Sequence, residues 1–233
     1  MIKPKTARLR TARLGREDRV ATILAAARMV IAEHGYENAL LADVAARADV
    51  VEGTIYRYFE SKRDLFIHVA EVWFEEILGE HDPARSVNGT LNRLRFLIWR
   101  ELSIIRQEPA LTRFVLMELR PDPAYRSLHL YELNRKFTSA ITTVLHEAIE
   151  SGEFRSGVRI QLIRDMIFGG IEHQTWAYLR NEGDFSVDNA AEHLSEVIYR
   201  GMVAAQTQTD DPAVAARLER VADRLEALAE QKK

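Results

Sequence analysis

An all-α fold is predicted by three features of this 233-residue chain. Apolar residues recur every three to four positions along most of its length. No stretch keeps the two-residue alternation of a strand. The periodic segments are punctuated by Gly and Pro at helix-like intervals.

The first helix is expected over about 17–34, with Val20, Ile23, Leu24, Ala27, Val30 and Ile31 as its apolar stripe and Gly35 as its stop. Residues 41–66, LADVAARADVVEGTIYRYFESKRDLF, then hold two short helical patterns with room for only a tight turn between them. Val44, Ala45 and Ala48 are small enough for close helix approach. Residues 53–59 put hydroxyls and a cation on one face, with Ile55 and Phe59 on the other. Ser61 followed by Asp64 is an N-cap signal, so a fourth helix starts there and runs through Leu65, Phe66, Val69, Trp73 and Ile77 to Gly79. A helix, a tight turn and a donor-rich second helix anchored from behind is the helix-turn-helix arrangement that reads DNA.

Residues 81–90 break the pattern as a loop. Leu91, Leu94, Leu97, Ile98, Leu102 and Ile105 stripe a helix ending before Pro109, and 110–119 form a shorter piece stopped by Pro121-Asp122-Pro123. Long helices are expected over 124–150, 158–181 and 187–205. In 212–233, Val214, Leu218, Val221, Leu225 and Leu228 recur at coiled-coil spacing, either as an amphipathic helix on the chain's own domain or as a seam across a dimer. The organisation read from this is a basic, disordered arm over 1–16, a helix-turn-helix domain over 17–62, a ligand-binding and dimerisation domain over 63–206, and the amphipathic helix over 212–233.

Hydrophobic content of 47% and charge of 29% are ordinary for a soluble globular protein, and there is no cysteine. No apolar run nears the ~18 to 20 residues of a membrane span, and the start lacks a secretory stretch, so a cytoplasmic protein without membrane partners is expected. The net charge of −3 hides an asymmetry: residues 1–70 carry twelve Lys and Arg against nine Asp and Glu, leaving twenty against twenty-six beyond. Lys3, Lys5, Arg8, Arg10, Arg13 and Arg16 stand in the arm with no acid, suited to DNA phosphates or to a solvated tail. The chain has no P-loop, dinucleotide fingerprint, G-x-S-x-G or H-E-x-x-H, and no histidine follows a glutamate by three. No enzyme, catalytic residue, metal or cofactor is expected. A helical adaptor is the rival reading, and it leaves the cluster of Tyr56, Arg57, Tyr58 and Lys62 behind a tight turn unexplained.

Residues 19–66 resemble the DNA-binding domain of the TetR (tetracycline repressor) family of bacterial transcription regulators. The matching residues are Ile23-Leu24-Ala26-Ala27, Gly35-Tyr36, Asp43-Val44-Ala45, and Gly53-Thr54-Ile55-Tyr56-x-Tyr58-Phe59-x-Ser61-Lys62-x-x-Leu65. The resemblance implies a homodimeric repressor on a palindromic double-stranded operator, released by a small-molecule effector. Thr54 and Tyr56 match DNA-contacting positions, where their hydroxyls reach phosphates. Tyr58 contacts DNA or packs the domain. Arg57 reads guanine O6 and N7 or grips phosphate. Gly53 lets the backbone approach DNA, Lys62 matches a backbone-contacting position, and Glu52 either accepts from cytosine N4 or weakens nonspecific binding. Two departures stand out: Asp49 replaces a frequent turn glycine, and Leu40 replaces a capping Thr, so that either Asn38 caps the second helix or the contact is lost.

In such regulators the last two helices of the main domain make the dimer. Here they offer Ile167, Ile171, Trp176, Leu179, Leu194, Val197, Ile198 and Met202, with Gly169-Gly170 allowing close approach. Effector liners expected among the middle helices are Phe96, Trp99, Met117, Tyr125, Leu128, His129, Phe137, Ile141 and His173. The stretch FGGIEHQTWAYLRNEGDF resembles the acyl-coenzyme A-responsive fatty-acid-degradation regulators of the family. This implies a long apolar pocket with basic residues at its mouth, Arg93, Arg100 and Arg106 being candidates; an aromatic or drug-like inducer is the alternative.

Overall fold

The structure, a computed structural model, describes residues 15–79, 83–204, 216–217 and 219–221. The basic arm lies almost wholly outside the described residues, as does most of the 212–233 segment, including Leu218, Leu225 and Leu228. Among the described residues there are nine α-helices and no strand beyond one isolated bridge, Phe154 to Val203. The fold is all-α, as the periodicity predicts.

Helix α1 (Arg16–Asn38) buries Ile23, Ala26, Ala27, Val30 and Ile31. Its regular part ends where the spacing predicts, because Gly35 turns to φ +72° and only one more turn follows. Helices α2 (Leu41–Arg47) and α3 (Glu52–Ile55) are short, and α4 (Lys62–Gly79) is long. Ser61 Oγ accepts from the Asp64 amide at 3.1 Å while the Asp64 carboxylate accepts from the Glu60 amide at 2.9 Å, a reciprocal cap that starts α4. Helix α5 (Thr90–Gln107) is followed by α6 (Pro109–Arg113), with Pro109 at its first turn. The chain then widens into a π-type turn over Phe114–Leu119. The helix expected over 124–150 begins later, at α7 (His129–Glu150). Pro123 opens a separate 3-10 turn capped by the Asp122 carboxylate, and Leu128 is extended, which breaks continuity. Helices α8 (Ile160–Leu179) and α9 (Val187–Met202) complete the fold.

Two apolar cores result. One joins α1–α4 to Leu111, Phe114, Val115, Leu119, Tyr125, Leu130 and Leu133. The other is built from α5, α7, α8 and α9. Helix α4 gives its buried residues, from Leu65 to Ile77, to the first core, where it packs chiefly on α1 and α7.

Candidate DNA-reading and effector sites

The turn between α2 and α3 is made by Asp49, whose φ of +51° is the left-handed geometry that Asp tolerates better than most residues. Leu41, Val44, Ala45, Ala48, Ile55 and Phe59 are buried beneath it, with Ile55 and Phe59 holding α3 from behind. Above them Glu52, Gly53, Tyr56 and Arg57 are exposed and Thr54 is half-buried. Tyr56, an aromatic, is 55% exposed. Tyr58 is half-buried against the core, so part of its ring is structural. The regular helix is only one turn. It continues as a tighter coil through the Arg57 and Tyr58 amides, which donate to the carbonyls of Thr54 and Ile55.

Lys62, expected to contact the DNA backbone, is also tied within the chain. Its Nζ donates to the Glu37 carbonyl at 2.9 Å and sits 4.8 Å from the Tyr36 ring centre, closing the end of α1. Burial draws its ammonium below lysine's ordinary range, with Glu37 opposing. Asn38 does not cap α2; its side chain bonds back to the His34 carbonyl, and Leu40 provides no side-chain cap. Arg47 instead ties α2 to α1 by a forked pair to Glu33, both bonds 2.8 Å.

A cavity of about 240 Å³ lies between α4, α5, the 109–120 segment, α7 and α8. Trp73, Phe74, Ile77, Ile104, Leu116, Phe137 and Phe168 form apolar walls, while Arg120, Arg135 and Arg164 supply cations. Arg120 pairs with Glu172 and Arg164 with Asp165. Arg135 makes no ion pair with a described residue and lies 5.9 Å from the Tyr131 ring. Two polar groups sit in these walls. Glu101 rides the apolar face of α5 between Ile98 and Ile105, and burial pushes its carboxyl from an ordinary 4.5 up to about 8; Glu172 adds to this, and Arg100 and Arg120 oppose it. Thr112 is 5% exposed, and its Oγ1 has no hydrogen-bond partner among the described residues.

Of the expected liners only Phe137 reaches this cavity. Phe96 and Trp99 lie in a separate groove beside Arg28 and Glu108, and the Trp99 indole is drawn outward by a 2.9 Å bond to Asp188. Met117 faces a shallow depression with Pro121 and Trp176. Tyr125 and Leu128 pack in the first core, Ile141 in the second. His129 and His173 are exposed. The expected mouth cations are also committed elsewhere: Arg93 to Glu147, Arg106 to Asp184, and Arg100 to the Ile77 carbonyl and the Phe137 ring. The polar liners were detectable in one respect. Glu101 falls at i+3 from Ile98 and i−4 from Ile105, a carboxylate in a core position.

The dimer candidates divide in the same way. Ile167, Ile171, Leu179, Ile198 and Met202 are buried within the chain's own second core, and so are unavailable to a partner. A Cβ on Gly170 would meet Leu194 at 3.3 Å, so this glycine serves the α8–α9 contact within the chain. What stays outside on these helices is Leu162, Met166, Trp176 (45% exposed) and Val197 (68% exposed), with Gly169 open.

The two halves are bridged at defined points. Arg28 of α1 reaches Glu76 of α4 at 2.7 Å and Glu108 at 2.6 Å. Arg63 at the head of α4 reaches Asp122 at 2.6 Å, and the Tyr36 ring lies 4.4 Å from Phe114. Neither Arg63 nor the 109–122 segment stands out in the sequence, since their partners are 55 or more residues away.

Comparison with known proteins finds a match in each half of the chain. The model of bacterial regulatory proteins of the tetR family matches residues 23–69, and that of the YsiA-like protein C-terminal region matches 74–201. The fatty acid metabolism regulator protein of Bacillus subtilis is 26% identical over 185 residues, covering 77% of this chain and 93% of that one. The transcriptional repressor KstR of Mycolicibacterium smegmatis is 36% identical over 96 residues, covering 41% and 47%. The crystal structure of FadR from Bacillus subtilis in complex with stearoyl-CoA superposes with a TM-score of 0.67 at 26% identity, covering 78% of this chain and 98% of that one. With a reading turn at one end, a walled cavity at the other and both halves matched, the chain belongs to the TetR family, as a ligand-responsive, DNA-binding transcriptional regulator.

Proposed function

We propose that this regulator works as a cytoplasmic homodimer that holds a palindromic operator and releases it when a long-chain acyl-coenzyme A enters the cavity. The carrying observation is helix α4, whose first turn supports the reading unit and whose Trp73, Phe74 and Ile77 wall the cavity. An 18-residue helix spans about 27 Å, so a displacement at one end is delivered at the other. The cavity, about 240 Å³, is smaller than the roughly 300–1,000 Å³ of ligand sites. A long chain seated there has to press its walls apart. Major grooves on one DNA face are about 34–36 Å apart, so a small change in the separation of two α3 turns mismatches both half-sites. An effector that favours the wider cavity thereby lowers operator affinity.

Glu52, Gly53, Thr54, Tyr56, Arg57 and Tyr58 are the proposed DNA contacts. Lys62 joins them by orienting the end of α1, with its remaining donors free for phosphate. Residues 17–62 act as the reading domain and 63–206 as the effector and dimer domain, with α4 as their common strut. Leu162, Met166, Trp176 and Val197 form the proposed dimer face, and Arg135 is the proposed partner of the coenzyme's phosphates. Support for the acyl-coenzyme A class comes from the stearoyl-CoA carried by the Bacillus subtilis relative.

The test is fluorescence anisotropy of purified protein on DNA from upstream of its own gene, against random duplex across a salt series, with acyl-coenzyme A added. Tight, fragment-specific binding reversed by micromolar acyl-coenzyme A is expected. Equal weak binding to both DNAs, or specific binding indifferent to every acyl chain, would overturn the corresponding half of the reading.

A further inference from the structure

The cavity's walls contain two polar groups without a hydrogen-bond partner among the described residues, one on the half-buried Glu101 and one on the buried Thr112. The Glu101 carboxyl makes no hydrogen bond to a described residue, although charged groups stand around it. Arg120 is bound to Glu172, and Arg100 donates to the Ile77 carbonyl at 3.3 Å. Thr112, almost wholly buried on α6, likewise has an Oγ1 without a partner among the described residues. Both line the same cavity, amid Ile104, Ile105, Val115 and Leu116. Burying a hydroxyl or carboxyl without a partner is costly, and an apolar side chain at either position would remove that cost. A purely hydrocarbon ligand would make matters worse, because it would expel any water that solvates them.

We infer that the effector carries an oxygen function, oxo or hydroxyl, part-way along its apolar body, and that Glu101 and Thr112 hydrogen-bond to it. The inference rests on this cavity being the effector site and narrows its ligand from acyl-coenzyme A thioesters in general to oxygenated ones. Thr112 can donate or accept. Glu101, kept protonated by its surroundings at neutral pH, can also do both, so the pair accommodates a carbonyl or a hydroxyl. Discrimination comes from the unsubstituted chain, which leaves both groups unpaired.

The experiment is isothermal titration of the full-length protein with palmitoyl-coenzyme A and with oxo- and hydroxy-palmitoyl-coenzyme A isomers differing in oxygen position. At least one oxygenated isomer should bind tenfold or more tighter than palmitoyl-coenzyme A at pH 7. Glu101→Leu should erase that preference, and Glu101→Gln, which keeps hydrogen-bonding capacity, should retain part of it. Equal affinity for all isomers, unchanged in Glu101→Leu, would overturn the inference while leaving the cavity as the acyl site. Tighter binding of dodecyltrimethylammonium than of any thioester would overturn it in favour of an ionised Glu101 pairing with a cation. Leu116→Trp, which fills the cavity, should abolish binding of every chain. If it does not, the cavity reading fails and the inference with it.

Discussion

Replacing Glu101 by glutamine tests the electrostatics of the cavity without any ligand. In the folded protein burial raises this carboxyl to about 8, whereas in the unfolded chain it returns to an ordinary value near 4.5. Between those two values the folded state keeps a proton that the unfolded state has shed. Unfolding free energy therefore falls as pH rises, by about 1.4 kcal/mol per pH unit. The contribution is fully present below pH 4.5, is lost progressively from 4.5 to about 8, and is gone above that. By pH 7 the loss from this one group amounts to roughly 3 kcal/mol. Glutamine has nearly the same shape and binds no proton in this range. The stability of Glu101→Gln relative to the parent should thus grow by roughly 2 to 3 kcal/mol between pH 5.5 and 7.5. Urea unfolding followed by circular dichroism measures this, at one protein concentration, since the proposed dimer would make apparent stability concentration-dependent. Parallel pH profiles for the two proteins would show that Glu101 is solvated and ionised in the folded state, and would refute the argument.

Asp49 pays for its positive φ, so Asp49→Gly should be neutral or mildly stabilising, whereas Asp49→Ala should cost about 1 kcal/mol in thermal unfolding; equal effects would place the turn's constraint elsewhere. Arg57→Ala should weaken operator binding by about 1 to 3 kcal/mol and relax preference at one position of each half-site. Uniform loss on all sequences would assign Arg57 to phosphate. Lys62→Ala should lower folding stability by about 1 kcal/mol, since the Glu37 carbonyl loses its donor. An unchanged melting temperature would mean that water replaces it. Val197→Glu, on the exposed side of α9, should yield a folded monomer by light scattering, and an intact dimer would move the interface off this face.

The reading unit was legible from local signals because its determinants are local. The Ser61–Asp64 cap, the Ile55 and Phe59 anchor and the Asp49 turn act within a few residues of one another. The cavity was not, apart from Phe137. Trp99 and Phe96 are aromatic like the cavity's walls, but Trp99 bonds to Asp188 and both line a separate groove. On α8 and α9 the sequence could not say which apolar residues stay outside, for a related reason. Apolar periodicity identifies a face that will be buried without saying whether the chain itself or a second copy buries it, and Ile167, Ile171 and Ile198 go to the chain's own core.

By itself the sequence determined that the fold is all-α, where most of its helices stop, and that residues 41–66 form a helix-turn-helix of the TetR type, because periodicity, caps and turn chemistry are short-range properties of the chain. Only the tertiary structure decided which side chains converge on the cavity, that Glu101 and Thr112 find no hydrogen-bond partner among the described residues there, and that Arg28, Tyr36 and Arg63 bind the two halves together. Those relations join residues far apart in the chain, some 80 positions for Arg28 and Glu108, and they come from helix packing, which no local pattern encodes.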